Sequence, residues 1–462
     1  MSNQIRNYDG SITTTPQQLV FPESVAEIQA VLSNAAVYPS PVRAKGSFHS
    51  LTPCVSSDAG TIVDMSKMTK VIEIDTAEGL LTVQAGIQFI DASKALREQG
   101  FQFMTNVEIG NMTLGSAACC HSKDALDGIE FGQVSSYVTR IRWVTPSGEL
   151  AEASEESSPD LLRMVRSSHG LAGVIYEVSI RIKPIEALHF TYMPRPVEEL
   201  TEAEVDEILD TSEGLICWTV QRTCIFQRRQ KVAEPGILSS LQAAARRRLW
   251  NFGDAHAGHL IDSFLKHKAL RDAVQDGGFE ITRFLYGTLQ LFGGITLLAP
   301  DKTIDYRDTP DSAKYAFTFW AFPRAQWLAT LREYLDFADN HFKETGFRCN
   351  MPLGAYHIRV DKSSILSYTF DQEIFSIDPI HASTDDEAWH DFLRKFNDFA
   401  FQRSGIPLLN QSPFVERQHV EAAFGQRWTE FSQWVRTVDP GQRMLNPFFA
   451  ALLSEEAKQA AG

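Results

Sequence analysis

Residues 42–54 read VRAKGSFHSLTPC, and this stretch decides how the N-terminal half of the chain is read. An extended segment, PSPVRAKG, runs into a tight turn of small residues and then into Thr-Pro. His49 stands inside that turn, neither on an apolar helical face nor at a helix end, where structural histidines usually sit. Small side chains on either side leave backbone N–H groups free to face an anion, with no bulk in the way.

Working outward, residues 22–37 (PESVAEIQAVLSNAAV) carry a helical signature. Ser24 is the expected N-cap with Glu27 three residues on, and Val25, Ile28, Val31 and Leu32 form one apolar stripe. Alternating strands follow in GTIVDMSKM and KVIEIDTAEGLLTVQAG, then a helix over 88–98 ending at Gly100. A hairpin is expected around Pro146-Ser147-Gly148, a helix at PDLLRMVRSS, and a long strand in HGLAGVIYEVSIRIKPI. Two further loops are rich in small residues, Met112 to Asp124 and Gly170 to Gly173. Three such loops in one α+β domain suggest a cradle for a large cofactor, although Gly-rich loops also serve as plain turns. Neither a GxxxxGK[ST] loop nor a strand–GxGxxG–helix unit occurs in this domain, which argues against a Walker or Rossmann nucleotide site.

Past residue 190 the texture changes. CWTVQRTCIFQRR reads as one strand with Cys217, Thr219, Gln221 and Thr223 on one side. A basic helical segment spans 238–270 with Arg246, Arg247 and Arg248, a solvated face with no assigned role. Strands are expected at 314–323 and 354–370 with a helix at about 325–344, and the end reads as helix, turn at Asp439-Pro440-Gly441 and short tail.

The chain has 462 residues, 44% hydrophobic and 22% charged, with a formal charge of −15. That length favours more than one domain, and the acidity argues against a nucleic-acid partner. The polar opening residues lack the apolar core of an export signal, and no apolar run is long enough to span a membrane, so the expectation is a soluble cytoplasmic chain. The six cysteines are scattered without CxxC spacing and read as free thiols.

The ordered set PESVAEIQAVL, VRAKGSFHS, IVDMSKM, VQAGIQFID, NMTLGSAACC and HGLAGVIYEVSIRI resembles the FAD-binding domain of the vanillyl-alcohol-oxidase superfamily, nearest its alditol oxidase and aldonolactone oxidase branch. The late VDPGQRMLNPFF resembles it too. The resemblance implies a PCMH-type two-subdomain FAD-binding domain at 1–187. A substrate-binding cap domain, an antiparallel sheet flanked by helices, would occupy 188–425, and a segment at 426–462 would return to the FAD domain.

It further implies FAD contacts from Ala44, Lys45, Gly46, Ser47, Phe48, His49 and Ser50, with His49 joined covalently to the 8α-carbon of the flavin. Thr113, Gly115, Ser116 and Cys120 follow from the second loop, Gly170, Gly173 and Val174 from the third, and Asn446 from the tail. The bland reading of Cys119 and Cys120 is that of small buried fillers.

Implied, too, is oxidation of a CH–OH group of an alditol, sugar lactone or similar alcohol by hydride transfer to flavin N5, with O2 reduced to H2O2. The same fold also serves dehydrogenases that use another acceptor. The branch's Glu-x-Arg pair falls on His357 and Arg359, which alternation puts on one face, giving a proton acceptor and an electrostatic stabiliser. Two departures stand out. Ser122-Lys123-Asp124 replaces a frequent Thr-His-Gly, and no Lys stands at Asn410-Gln411-Ser412, where the branch has one. A different reading gathers His49, Cys54, Cys119, Cys120 and His121 round a zinc ion, making a hydrolase or binding module, though the irregular spacing is poor for a tetrahedral site.

Overall fold

The computed structural model describes residues 4–125, 131–249, 268–291, 293–307, 309, 314–382 and 387–454. Its first sheet is parallel: β1 (Gln18–Val20) and β2 (Val42–Lys45) flank β3 (Thr61–Asp64). The second is antiparallel, from β4 (Val71–Asp75), β5 (Leu80–Gln84), β6 (Phe101–Phe103), β7 (Val138–Val144), β8 (Leu150–Ser154) and β9 (Val174–Pro184). Its order is β8-β7-β9-β5-β4, with β6 on the far end of β9.

Helix α1 (Val25–Ser33) begins where the sequence predicts: the Ser24 hydroxyl accepts from the Glu27 N–H, and the Glu27 carboxylate accepts from the Glu23 N–H. It stops at Ser33, short of the 37 expected. Its Ile28, Val31 and Leu32 pack on Val42, Val63 and Val174. Helices α2 (Phe89–Glu98), α3 (Leu114–Cys119) and α4 (Pro159–Val165) cover the second sheet, whose core includes Leu81, Phe89, Leu114, Ile141 and Val178.

The third sheet has eight antiparallel strands. In chain order they are β10 (Ala187–Pro196), β11 (Gly214–Val220), β12 (Thr223–Val232), β13 (Ile295–Leu298), β14 (Trp320–Pro323), β15 (Leu353–Ile358), β16 (Ile374–Ile377) and β17 (Ile406–Pro407). They are arranged β13-β10-β12-β11-β15-β16-β14-β17. Helices α5 (Glu202–Asp210), α6 (Ser239–Leu249), α7 (Lys268–Leu291), α8 (Trp327–Thr345) and α9 (Glu387–Phe401) belong to this half. Its aromatic core centres on Trp327 stacked on Phe375, ring centroids 4.2 Å apart. Large rings dominate such cores by buried area.

Three expectations are corrected here. The segment 217–229 is a hairpin, not one strand, because the chain reverses at Gln221 with φ +52°. The strand expected over 354–370 ends at Ile358, and the following loop docks Asp361 on Ser136 and Gln133 of the N-terminal half. The tail after Asp439 forms a helix. Helices α10 (Arg417–Phe424), α11 (Gln426–Val438) and α12 (Pro447–Leu453) pack with Cys54, Leu171 and Ile365. The part of the expected basic helix between α6 and α7 lies outside the described residues.

Buried charge ties the two halves together. Asp124, on the loop after α3, accepts from Arg229 of β12 at 2.8 Å and from Lys302, with all three side chains 1% exposed. Arg43 is buried without a carboxylate partner in hydrogen-bonding contact. It donates to the carbonyls of Cys54, His169, Gly170 and Met444, joining four segments at one guanidinium.

Candidate active site

Strand β2 delivers residues 46–50 to the seam between the two halves. Phe48 adopts φ +54°, a conformation disfavoured for a bulky side chain that recurs at functional sites. Its carbonyl accepts from the Tyr8 N–H at 2.8 Å, and the next residue, His49, stacks on Tyr8 with centroids 4.4 Å apart. The His49 Nε2 is buried and has no hydrogen-bond partner among the described residues. Burial pushes this imidazole down to about 4, outweighing the Asn111 amide beside it, so the ring is neutral at pH 7. The nook around it is lined by Leu51, Ile109, Tyr306, Tyr315 and Phe317.

On one side of His49 lies the small-residue cradle. Ala44, Lys45, Gly46, Ser50, Thr113, Gly115, Ser116, Cys120, Gly170 and Gly173 line a single cavity, so the structure brings together ten of the fifteen expected cofactor residues. The others sit differently. Ser47 accepts a hydrogen bond from Gln88, and Phe48 is buried beneath the turn. His49 occupies its own nook, and the Val174 side chain is core, between two cavity-lining neighbours.

Asn446 sits elsewhere again. It is the N-cap of α12, and its amide donates to the carbonyls of Pro53, Cys54 and Ser56. It borders a separate cavity of about 590 Å³, next to the nook but outside the cradle.

The cradle cavity is small, about 60 Å³, less than a whole dinucleotide fills. Its chemistry nevertheless suits such a group. Both ring nitrogens of His169, which lines it, are buried without hydrogen-bond partners among the described residues, groups that a polar ligand would satisfy. A Cβ on Gly46 would stand 2.2 Å from Thr113 Oγ1. Gly46→Ala is therefore expected to wedge two cradle loops out of register and lower flavin content, read from the flavin-to-protein absorbance ratio. Gly173 has φ +129° and its Cβ would meet the Val144 carbonyl at 2.0 Å, so a side chain there is excluded by rigid backbone.

On the other side of His49 a second cavity, about 80 Å³, shares Ile109, Tyr315 and Phe317 with the nook and adds Met112, Lys123, Asp378 and Gln411. Lys123 Nζ donates to Gln411 Oε1 at 3.3 Å and sits 3.9 Å from the Phe319 ring centroid. Asp378 Oδ2 is 4.0 Å from that ammonium. Burial pushes the Asp378 carboxyl up to about 7 and draws Lys123 down.

His357 is the last residue but one of β15 and Arg359 lies just past its end, and neither lines this cavity. Gly354 and Tyr356 line it, whereas His357 packs on Phe375 and meets the Glu373 carboxylate at 3.3 Å. The Glu373 carboxyl is held below its usual range by His357 first, with smaller help from Arg359 and Arg324. Sequence reasoning missed Arg43, His169, Lys123 and Asp378. Only Lys123 carried a signal, as a departure from the family pattern.

The zinc reading does not survive the geometry. His121 Nε2 bonds Ser167 and Ser364, Cys119 donates to the Gly115 carbonyl, and His49 lies in its own nook. Among the described residues, no group of three or more His, Cys, Asp or Glu side chains is placed to hold a metal ion.

The buried histidines have a measurable consequence. His49 is pushed down to about 4, His121 and His381 to about 3, and His169 well below its ordinary value, all chiefly by burial. Their folded-state values lie below the unfolded ones, so the stability they contribute is present above pH 6.5 and lost as pH falls. Asp9, Asp378 and Asp439, raised by burial, act in the opposite sense. The histidines lowered by burial outnumber the carboxyls raised by it, so the expected outcome is a net loss of stability between pH 7.5 and 5.5. Urea unfolding at the two pH values checks it.

Residues 16–154 match the family described as FAD binding domain, the class of protein to which the N-terminal sheets and the small-residue cradle are similar. Among similar proteins, L-gulono-1,4-lactone dehydrogenase of Mycobacterium tuberculosis is 31% identical over 209 residues, 45% of this chain and 47% of that protein. A putative D-arabinono-1,4-lactone oxidase of Neurospora crassa is 30% identical over 46% of this chain and 38% of its own length. The matches thus span about half the length of these relatives or less. The cholesterol oxidase structure from B. sterolicum shares the fold over 98% of this chain and 97% of that one, TM-score 0.76, at 13% identity. No helix among the described residues is long and apolar enough to cross a membrane.

Proposed function

We propose that the protein is an FAD-dependent oxidoreductase that oxidises a CH–OH group of a sugar lactone or similar small alcohol, with its FAD joined to His49. The observation that carries this reading is the buried His49 Nε2, without a hydrogen-bond partner among the described residues, one residue from Ser50 of the small-residue cradle and in a nook that shares Ile109, Tyr315 and Phe317 with the Lys123 cavity. A neutral imidazole in that position keeps its lone pair for bonding to an electron-poor carbon.

The bound FAD would supply the two-electron acceptor. Gly46, Ser50, Thr113, Ser116 and Gly170 would hold the phosphate-bearing part, and the aromatic wall of Tyr315 and Phe317 would exclude water beside the reacting carbon. Relatives described as lactone oxidases and dehydrogenases support the substrate class.

Purified protein is expected to be yellow and to bleach anaerobically with L-gulono-1,4-lactone or D-arabinono-1,4-lactone. A colourless protein, or a yellow one that neither lactones nor alditols reduce, contradicts the reading. The second reading, a dehydrogenase, is favoured by the description of the Mycobacterium tuberculosis relative. Admitting air after reduction separates the two: prompt reoxidation with H2O2 release marks an oxidase, slow reoxidation a dehydrogenase.

A further inference from the structure

We propose that Asp378 and Lys123 are the base and the cation of the oxidation site, acting on a hydroxyl carried by a neutral ring compound. The proposal rests on the FAD-dependent reading above and replaces the pair that the sequence places at His357 and Arg359.

Asp378 follows β16, and its position is fixed by main chain: its N–H donates to the Gly354 carbonyl at 2.8 Å, and its carbonyl accepts from Gly354 at 3.1 Å. Its side chain is 4% exposed, and Oδ1 has no hydrogen-bond partner among the described residues. A buried acceptor left in this state costs free energy that a donor in the cavity recovers. The 4.0 Å between Asp378 Oδ2 and Lys123 Nζ is too long for a hydrogen bond and suits a bridging oxygen. A substrate hydroxyl there would donate its proton to the carboxylate while its oxygen accepts from the ammonium.

Lys123 meets the requirement that the family pattern leaves open. No lysine stands at 410–412, yet the Lys123 ammonium reaches that place from another loop and hydrogen-bonds Gln411. Asp124, which also borders the cavity, is shared by Arg229 and Lys302. That triad carries one net positive charge and favours negative charge developing nearby. Trp218, Tyr315, Phe317 and Tyr356 supply flat apolar walls, which suit the C–H face of a ring better than an open polyol chain.

In the step, the hydroxyl O–H bond breaks with its proton passing to Asp378. The carbinol C–H bond breaks with its electron pair passing as hydride to the bound flavin, and the C=O bond forms. The substrate loses two electrons and the flavin gains them, while Asp378 returns its proton to solvent. Facing the carboxylate or within its electrostatic reach are Lys123, Ser376, Tyr356 and Tyr368, with Asp124, Glu108 and Tyr315 around the same cavity.

The test uses flavin-loaded protein mixed anaerobically with L-gulono-1,4-lactone, D-arabinono-1,4-lactone or xylitol, with flavin content measured first. Bleaching by a lactone is expected to accelerate as pH rises through about 7 and to level off above it. Asp378→Asn should slow it by about 10²–10⁴-fold and flatten that profile. Lys123→Met should slow it by about 10²–10³-fold and lower the flavin's reduction potential, with partial recovery in Lys123→Arg.

Flavin-loaded Asp378→Asn bleaching like wild type overturns the proposal. So does an unchanged potential in Lys123→Met, a measurement that needs no substrate and decides the matter if Asp378→Asn fails to fold. Wild-type protein with normal flavin that only xylitol reduces overturns the ring-alcohol assignment. Wild-type protein without flavin instead removes the function on which the proposal stands.

Discussion

Asp124→Asn is expected to lose about 3–5 kcal/mol of stability, because it leaves two buried cations without their shared carboxylate. Arg229 and Lys302 have side chains 1% exposed, so water does not screen them. Lys302 is already drawn down to about 8, by burial first and by Arg229 next, and removing the carboxylate drives its deprotonation further. Urea unfolding checks the loss. The double variant Asp124→Asn/Lys302→Met should recover part of it, since the two substitutions act on one network. A single-variant loss below about 1 kcal/mol, the scale of an exposed pair, would show that the triad does not hold the two halves together.

His49→Ala is expected to abolish covalent flavin while leaving the cradle able to bind FAD reversibly. His49 sits in a turn and stacks on Tyr8, outside the sheets and helices, so the substitution should disturb the fold little. Its effect on chemistry is larger. A covalent bond at the flavin's 8α-carbon makes the flavin more oxidising, and each ~30 mV lost takes tenfold from the equilibrium constant for a two-electron oxidation. The variant should therefore show a lower flavin potential, slower bleaching by lactone and flavin released by acid.

The N-terminal half was the legible part of the sequence, for local reasons. Ser24 and Glu27 announce α1, the 71–84 alternation announces β4 and β5, and three small-residue loops converge as their composition suggests. What the sequence could not convey depended on direction and long-range contact. Alternation paired His357 with Arg359, but β15 ends at Ile358, and the pattern contained nothing about which face meets the cavity. That was settled by β15 packing between β11 and β16. Asp378 sits after a short apolar strand, with no flanking pattern to mark it. Gln221 carried no turn signal, since a non-glycine residue at positive φ is held by its surroundings. Asn446 came from the resemblance of the tail alone, and its role as N-cap of α12 carried no separate mark in the sequence.

The most direct test of the account is the intact mass of the denatured wild-type protein, measured beside that of His49→Ala. The account predicts a wild-type mass equal to the polypeptide plus one FAD, and a His49→Ala mass equal to the polypeptide alone. A wild-type protein that is yellow in solution but has the bare polypeptide mass after denaturation would contradict the anchoring role of His49.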